Sequence, residues 1–144
     1  MEIGYTPVQV DVSTLLPLPL PLFSAVRAGF ASPAEDYLLK RIDINSELVK
    51  HPQATFMVRI KGDSMREFGI FNDDVVVVDR AIRPGHGHIV IAVIDGECTC
   101  KELSTSNGMR LRAGNPAFSD IVPAEGQTLE IWGVVTATIK QFKR

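Results

Sequence analysis

The chain has 144 residues, 45% hydrophobic and 22% charged, which is apolar material for one sizeable core and not for two. Fifteen Lys and Arg stand against 17 Asp and Glu, a formal net charge of −2 with no long run of either sign, so the electrostatic footprint of a duplex-DNA or membrane-surface binder is missing. The only cysteines, Cys98 and Cys100, are separated by one residue on what reads as a strand, which excludes a disulfide scaffold and fits a reducing, intracellular home.

Residues 15–23 are apolar, but Glu2 and Asp11 precede them, the first basic residue is Arg27, and Pro17, Pro19 and Pro21 interrupt them, so no export signal is expected. No other uncharged apolar stretch approaches the roughly 20 residues of a bilayer-spanning helix. A soluble, cytoplasmic protein with no membrane association follows as the expectation. The Leu-Pro alternation of residues 16–22 forbids a helix and lacks a full set of ladder donors, which predicts an extended, polyproline-like arm. Its leucines suit a groove of this molecule or of a neighbour; composition alone equally allows a disordered terminus. Ser32-Pro33-Ala34-Glu35 combines an N-cap serine, a first-turn proline and a capping-box glutamate, so a helix is predicted from there to about Arg41. Asn45 or Ser46 caps a second short helix through Lys50, ended by His51-Pro52.

From Pro52 onward the texture is β. Residues 55–60, 74–79, 88–94, 97–103, 109–113 and 129–140 are short runs rich in β-branched side chains, separated by turn chemistry. Asp95-Gly96 and Asn107-Gly108 are hairpin signals, and Gly133 inside the last run predicts a bulge or bend. The expected fold is mostly β, a closed or heavily curved antiparallel assembly with one or two short helices near the N-terminus and an extended N-terminal arm.

Ser64, in Gly62-Asp63-Ser64-Met65, sits where a strand hands over to a turn. Such a place can expose a hydroxyl beside free backbone N–H groups, as a nucleophile with an oxyanion hole requires, and it equally suits a turn serine capping Arg66 or Glu67. The histidines are poor bases for it: His51 precedes a proline, and His86 and His88 lie in a glycine-rich turn. Lys101 stands on a strand whose alternation puts Thr99, Lys101 and Leu103 on one face. Drawn into that face, its ammonium would be destabilised and a neutral amine could take the serine proton; left at the surface, it would snorkel or pair with a glutamate. Cys98, Cys100, His86 and His88 could together hold a structural zinc ion, against which C-x-C on a strand lacks the knuckle turn of C-x-x-C.

Taken together, Ala28-Gly29-Phe30, Ser32-Pro33-Ala34, Gly62-Asp63-Ser64-Met65 and Lys101 resemble the UmuD-type mutagenesis proteins, which share their self-cleaving β domain with the LexA and phage repressors. The resemblance runs from Pro21 to the end of the chain and includes Arg41-Ile42-Asp43, His51-Pro52, Asp95-Gly96-Glu97 and Trp132-Gly133. It implies a LexA-like catalytic core at residues 29–144 behind a cleavable arm at 1–28. Ser64 would be the nucleophile, Lys101 the general base and Ala28-Gly29 the scissile bond, with no cofactor or metal; the Ser64 and Met65 backbone N–H groups are the oxyanion-hole candidates. It further implies a homodimer, cleavage stimulated by a RecA filament on single-stranded DNA, and a product that serves a Y-family, UmuC-like translesion polymerase. Repressors of this type carry a helix-turn-helix domain, whereas the 28 residues before the cut are proline-rich and without helical periodicity, so sequence-specific DNA binding does not carry over. Signal peptidases also use a Ser-Lys pair, but the expected membrane segment is missing. Two other functions fit the residues less well: a non-proteolytic dimeric β adaptor and a zinc-structured binding domain.

Overall fold

A computed structural model describes residues 8–9, 19–23 and 38–144, and these form two antiparallel sheets. In chain order the strands are β1 (Val8–Gln9), β2 (Pro19–Phe23), β3 (Leu38–Asp43), β4 (Thr55–Arg59), β5 (Val75–Asp79), β6 (Ile89–Ile94), β7 (Glu97–Ser104), β8 (Arg110–Arg112) and β9 (Leu129–Ile139). The main sheet runs β1-β4-β5-β9-β6-β7-β8 and is not closed into a barrel, so the closed form is not the one found. Strands β2 and β3 make a separate two-stranded ribbon.

The six β runs read from the sequence all become strands, within a residue or two at each end. The valine run of β5 lies between β4 and β9 in the sheet and is buried on both faces: Val76, Val77 and Val78 are each at most 3% exposed. Alternation along β6 divides the core in two. Ile91 joins Val58, Ile60, Met65, Val76, Val78 and Cys100, while Val90 and Ala92 pack with Leu103, Leu111 and Val134. The long strand β9 is the spine, pairing β6 with its first half and β5 with its second. The expected irregularity at Gly133 is present: Ile91 faces Gly133 but Ala92 faces Ile131, leaving Trp132 as the extra residue of a bulge. A Cβ on Gly133 would stand 2.5 Å from Val78 Cγ1, so the glycine also permits close packing against β5.

Two local expectations are corrected. Residues 38–41, read as the end of a helix starting at Ser32, are extended in β3 and pair with Pro19–Phe23; pairing between segments overrides helix propensity there. The rest of that predicted helix, at 32–37, and the Ala28-Gly29 junction lie outside the described residues. The proline-rich arm is extended as expected where it is described, at 19–23, and a two-stranded ribbon tolerates Pro19 and Pro21 because their missing donors fall on one strand edge. The second helix is present as α1 (Ile44–Leu48), but its cap is Asp43, whose carboxylate accepts from the Asn45 N–H and the Ser46 hydroxyl, rather than Asn45 or Ser46. A 3-10 turn at Pro52–Ala54 follows.

Asp95-Gly96 forms the two-residue turn expected between β6 and β7, with φ of 48° and 85°. At Asn107-Gly108 only Gly108 has positive φ, and residues 105–109 form a five-residue loop, because Ser104 opposite Arg110 is the last pair and the Thr105 N–H turns aside to His86 Nδ1.

Candidate active site

Strand β4 ends at Arg59, and one further pair of bonds between Ile60 and residues 73–74 holds the base of an excursion that carries Ser64. Gly62 turns the chain at φ 98°, a left-handed conformation open to glycine, and its N–H is accepted by the Asn72 side chain. Met65, 1% exposed, anchors the turn in the core, and its carbonyl accepts from the Phe68 and Ile70 N–H groups around a 3-10 turn at Arg66–Phe68. The far side of the turn is tied to residues 114–115. The Gly114 N–H donates to the Ser64 carbonyl at 2.6 Å, the Gly114 carbonyl accepts from the Glu67 N–H at 2.7 Å, and Asn115 Nδ2 donates to the Asp63 carbonyl at 2.9 Å.

Ser64 and Lys101, 37 positions apart, are brought into contact. Lys101 Nζ lies 2.9 Å from Ser64 Oγ, 2.9 Å from Thr99 Oγ1 and 3.1 Å from the Cys100 carbonyl oxygen. Both residues are buried, at 5% and 4% exposure. Thr99, Lys101 and Leu103, which alternation puts on one face of β7, are all buried, and so is Cys100 on the other face, so of the two settings open to Lys101 the buried one is found. Burial pushes the Lys101 ammonium below the ordinary lysine pKa, with only its neighbour Cys100 acting the other way. That thiol is itself pushed up to about 12 by burial, so it carries no charge near neutrality. Every hydrogen-bond partner of Lys101 is therefore uncharged.

The three oxygens around Nζ can take the three N–H donors of an ammonium; they also suit an amine, whose two donors go to Thr99 Oγ1 and the Cys100 carbonyl and whose lone pair then meets the Ser64 hydroxyl proton. Desolvation is what favours the amine. Among the described residues, the Ser64 and Met65 N–H groups have no acceptor. A groove of about 530 Å³ opens at Lys101, walled by Ile94, Glu97 and Thr99 on the β6–β7 hairpin and by Phe118, Ile121 and Gln127 opposite. A second cleft of about 350 Å³, lined by Arg66, Phe71 and Asn115, lies on the other side of the serine turn.

The remaining candidates are not assembled. His86 and His88 each accept a backbone N–H through Nδ1, Cys100 is in the core, and no group of three or more metal-ligating side chains exists among the described residues. His51 Nδ1 bonds the buried Asp79 carboxylate at 2.5 Å, a pair the sequence reading missed. It sits where Thr55 faces Asp79, at the opposite end of the β4–β5 ladder from the serine turn, and so is no part of a Ser-His-Asp triad. The reading also passed over Gly114 and Asn115, although Asn115-Pro116 was visible as turn chemistry.

Fold and site together define a class: an open antiparallel β domain with a buried serine–lysine pair at the head of a groove. The model of the family described as Peptidase S24-like matches residues 21–136, and the chain belongs to that family. It is 47% identical over 124 residues to protein SamA of Salmonella typhimurium, covering 85% of this chain and 86% of that protein. Protein ImpA of Escherichia coli is 44% identical over 126 residues, covering 85% of each chain. The LexA repressor of Ectopseudomonas mendocina is 34% identical over 124 residues, which is 85% of this chain and 60% of the repressor. The resemblance to the UmuD and LexA type drawn from the motifs is borne out. No helix among the described residues is long and apolar enough to cross a membrane.

Proposed function

We propose that the chain is a self-cleaving SOS mutagenesis protein that cuts its own Ala28-Gly29 bond with Ser64 and Lys101. The observation that carries this is the 2.9 Å contact between two buried side chains, Lys101 Nζ and Ser64 Oγ, with no ion pair to Lys101 among the described residues. Ser64 Oγ attacks the Ala28 carbonyl carbon as its proton passes to the Lys101 amine. The oxyanion that forms is met by the Ser64 and Met65 N–H groups. Collapse breaks the C–N bond, Lys101 returns the proton to the Gly29 nitrogen, and an acyl-enzyme ester on Ser64 remains. Water, deprotonated by Lys101, hydrolyses that ester and releases residues 1–28 from residues 29–144. The small side chains at the cut suit a narrow groove.

The family resemblance supplies the context of the reaction: a cytoplasmic homodimer, with cleavage accelerated by a RecA filament on single-stranded DNA that favours a rarely populated cleavable pose. The product then serves as accessory subunit of a Y-family, UmuC-like translesion polymerase. Intact-mass spectrometry tests the core of the proposal on the wild type, Ser64→Ala and Lys101→Ala at neutral pH, at about pH 10, and with RecA filaments. A cut between Ala28 and Gly29 in the wild type, lost in both variants, is expected. A wild type that stays whole throughout, or a Ser64→Ala chain cut equally well, overturns the protease reading and favours the non-proteolytic dimeric adaptor.

A further inference from the structure

The two candidate oxyanion donors are aimed from behind. A trans peptide is planar, with its C=O and N–H pointing in opposite directions, so fixing one fixes the other. The Ser64 N–H shares a peptide plane with the Asp63 carbonyl, which is held by Asn115 Nδ2. The Met65 N–H shares a plane with the Ser64 carbonyl, which is held by the Gly114 N–H. Both carbonyls are thus tied to one neighbouring segment, and both N–H groups point away from it, with no acceptor among the described residues. Asn115 is itself locked, because its Oδ1 accepts the Ala117 N–H at 2.9 Å, and this leaves Nδ2 for the Asp63 carbonyl. Gly114 gains its close approach by having no side chain: a Cβ there would meet Phe68 Cδ2 at 2.5 Å and Met65 Cα at 3.2 Å.

We propose that Asn115, with the Gly114 peptide beside it, is a positioning residue that orients the Ser64 and Met65 N–H groups for the oxyanion of self-cleavage. The inference rests on the reading of Ser64 as nucleophile. It assigns Asn115 no contact with substrate and no share in proton transfer, which belongs to Lys101 on the other side of the serine. Removing the brace therefore lowers the rate at every pH and leaves the pH at which the rate is half-maximal where it was. A role in holding the serine–lysine contact would move that midpoint.

Asn115→Asp removes the donor in place: it keeps the shape and the oxygen that accepts from Ala117, and puts a carboxylate oxygen against the Asp63 carbonyl. Because it also adds a negative charge, which favours the Lys101 ammonium, the midpoint is read from the uncharged Asn115→Ala. Self-cleavage of the full chain is followed by intact mass from about pH 6 to 11, with folded fraction and unfolding midpoint measured beside it, and Asn115→Ala is treated the same way. We expect both variants to be folded and slowed roughly 10- to 100-fold, less than full deletion of an oxyanion donor costs, and Asn115→Ala to keep the wild-type midpoint. Rates within about twofold of wild type, a loss that follows the unfolded fraction, or a shifted midpoint in Asn115→Ala overturns the proposal. A wild type that is not cut, or a Ser64→Ala chain that is, removes the nucleophile on which it rests and is recognised in the same mass spectra.

Discussion

The pH dependence of Lys101 offers the most demanding test of the site, because one ionisation must appear in both rate and stability. A lysine with the ordinary pKa of about 10.4 is uncharged in roughly one molecule in a thousand at pH 7.4. Lys101 is 4% exposed with three uncharged partners, and desolvation lowers its pKa. Cleavage by the uncharged amine should rise about tenfold per pH unit on the acid side and level off at a midpoint below that of free lysine. Lys101→Met, of similar shape and without charge, should lose at least about 100-fold in rate and all of this slope. In a Ser64→Ala background, where the chain stays whole, the same group enters the unfolding equilibrium. Its pKa is lower in the folded than in the unfolded chain, so between the two values the unfolded state binds the extra proton and stability increases as pH rises. The penalty is fully present below the folded pKa and is gone above about pH 10.4. Urea unfolding should show this rise with Lys101 present and not in Lys101→Met, the gap between the curves changing by about 1.4 kcal/mol for each pH unit between the two pKa values. A rate midpoint at or above that of free lysine, or stability curves that stay parallel, would refute the reasoning.

Three other outcomes follow from the packing. Gly133→Ala forces a Cβ to within 2.5 Å of Val78 Cγ1 beside the β9 bulge, and should cost about 1–3 kcal/mol of stability in urea unfolding; an unchanged midpoint would mean the two strands separate freely. His51→Ala removes the partner of Asp79 Oδ2 while Oδ1 keeps the Ala81 N–H, so stability should fall by about 1–2 kcal/mol with the cleavage rate within about twofold of wild type; a large rate loss would tie this distant pair to catalysis. A thiol-alkylating reagent at about pH 8 should modify the half-buried Cys98 and spare Cys100, whose thiol is buried and pushed up to about 12, and modify both after unfolding; rapid double modification of the folded chain would contradict that burial.

The β framework was legible along the chain because strand signals are local. β-branched runs, an Asp-Gly turn and a glycine within a strand each act through their own few residues, and all six expected runs became strands. The serine turn and the lysine were likewise visible, one from its place after a strand and the other from alternation with Thr99 and Leu103. Local reasoning failed where a distant segment intervened. Residues 38–41 have good helix formers but pair with 19–23, and Asn107-Gly108 lies in a longer loop because His86 takes the Thr105 N–H. What only the tertiary structure decided is the chemistry of the site. Whether Lys101 is a solvated cation or a desolvated base depends on which atoms surround Nζ, and those include Ser64 from the turn after β4. Whether two backbone N–H groups remain free depends on carbonyl acceptors being engaged by Gly114 and Asn115, some 50 residues away. Desolvation and peptide orientation are properties of neighbours in space, and residue type and spacing carry them only once the sheet has brought those neighbours together.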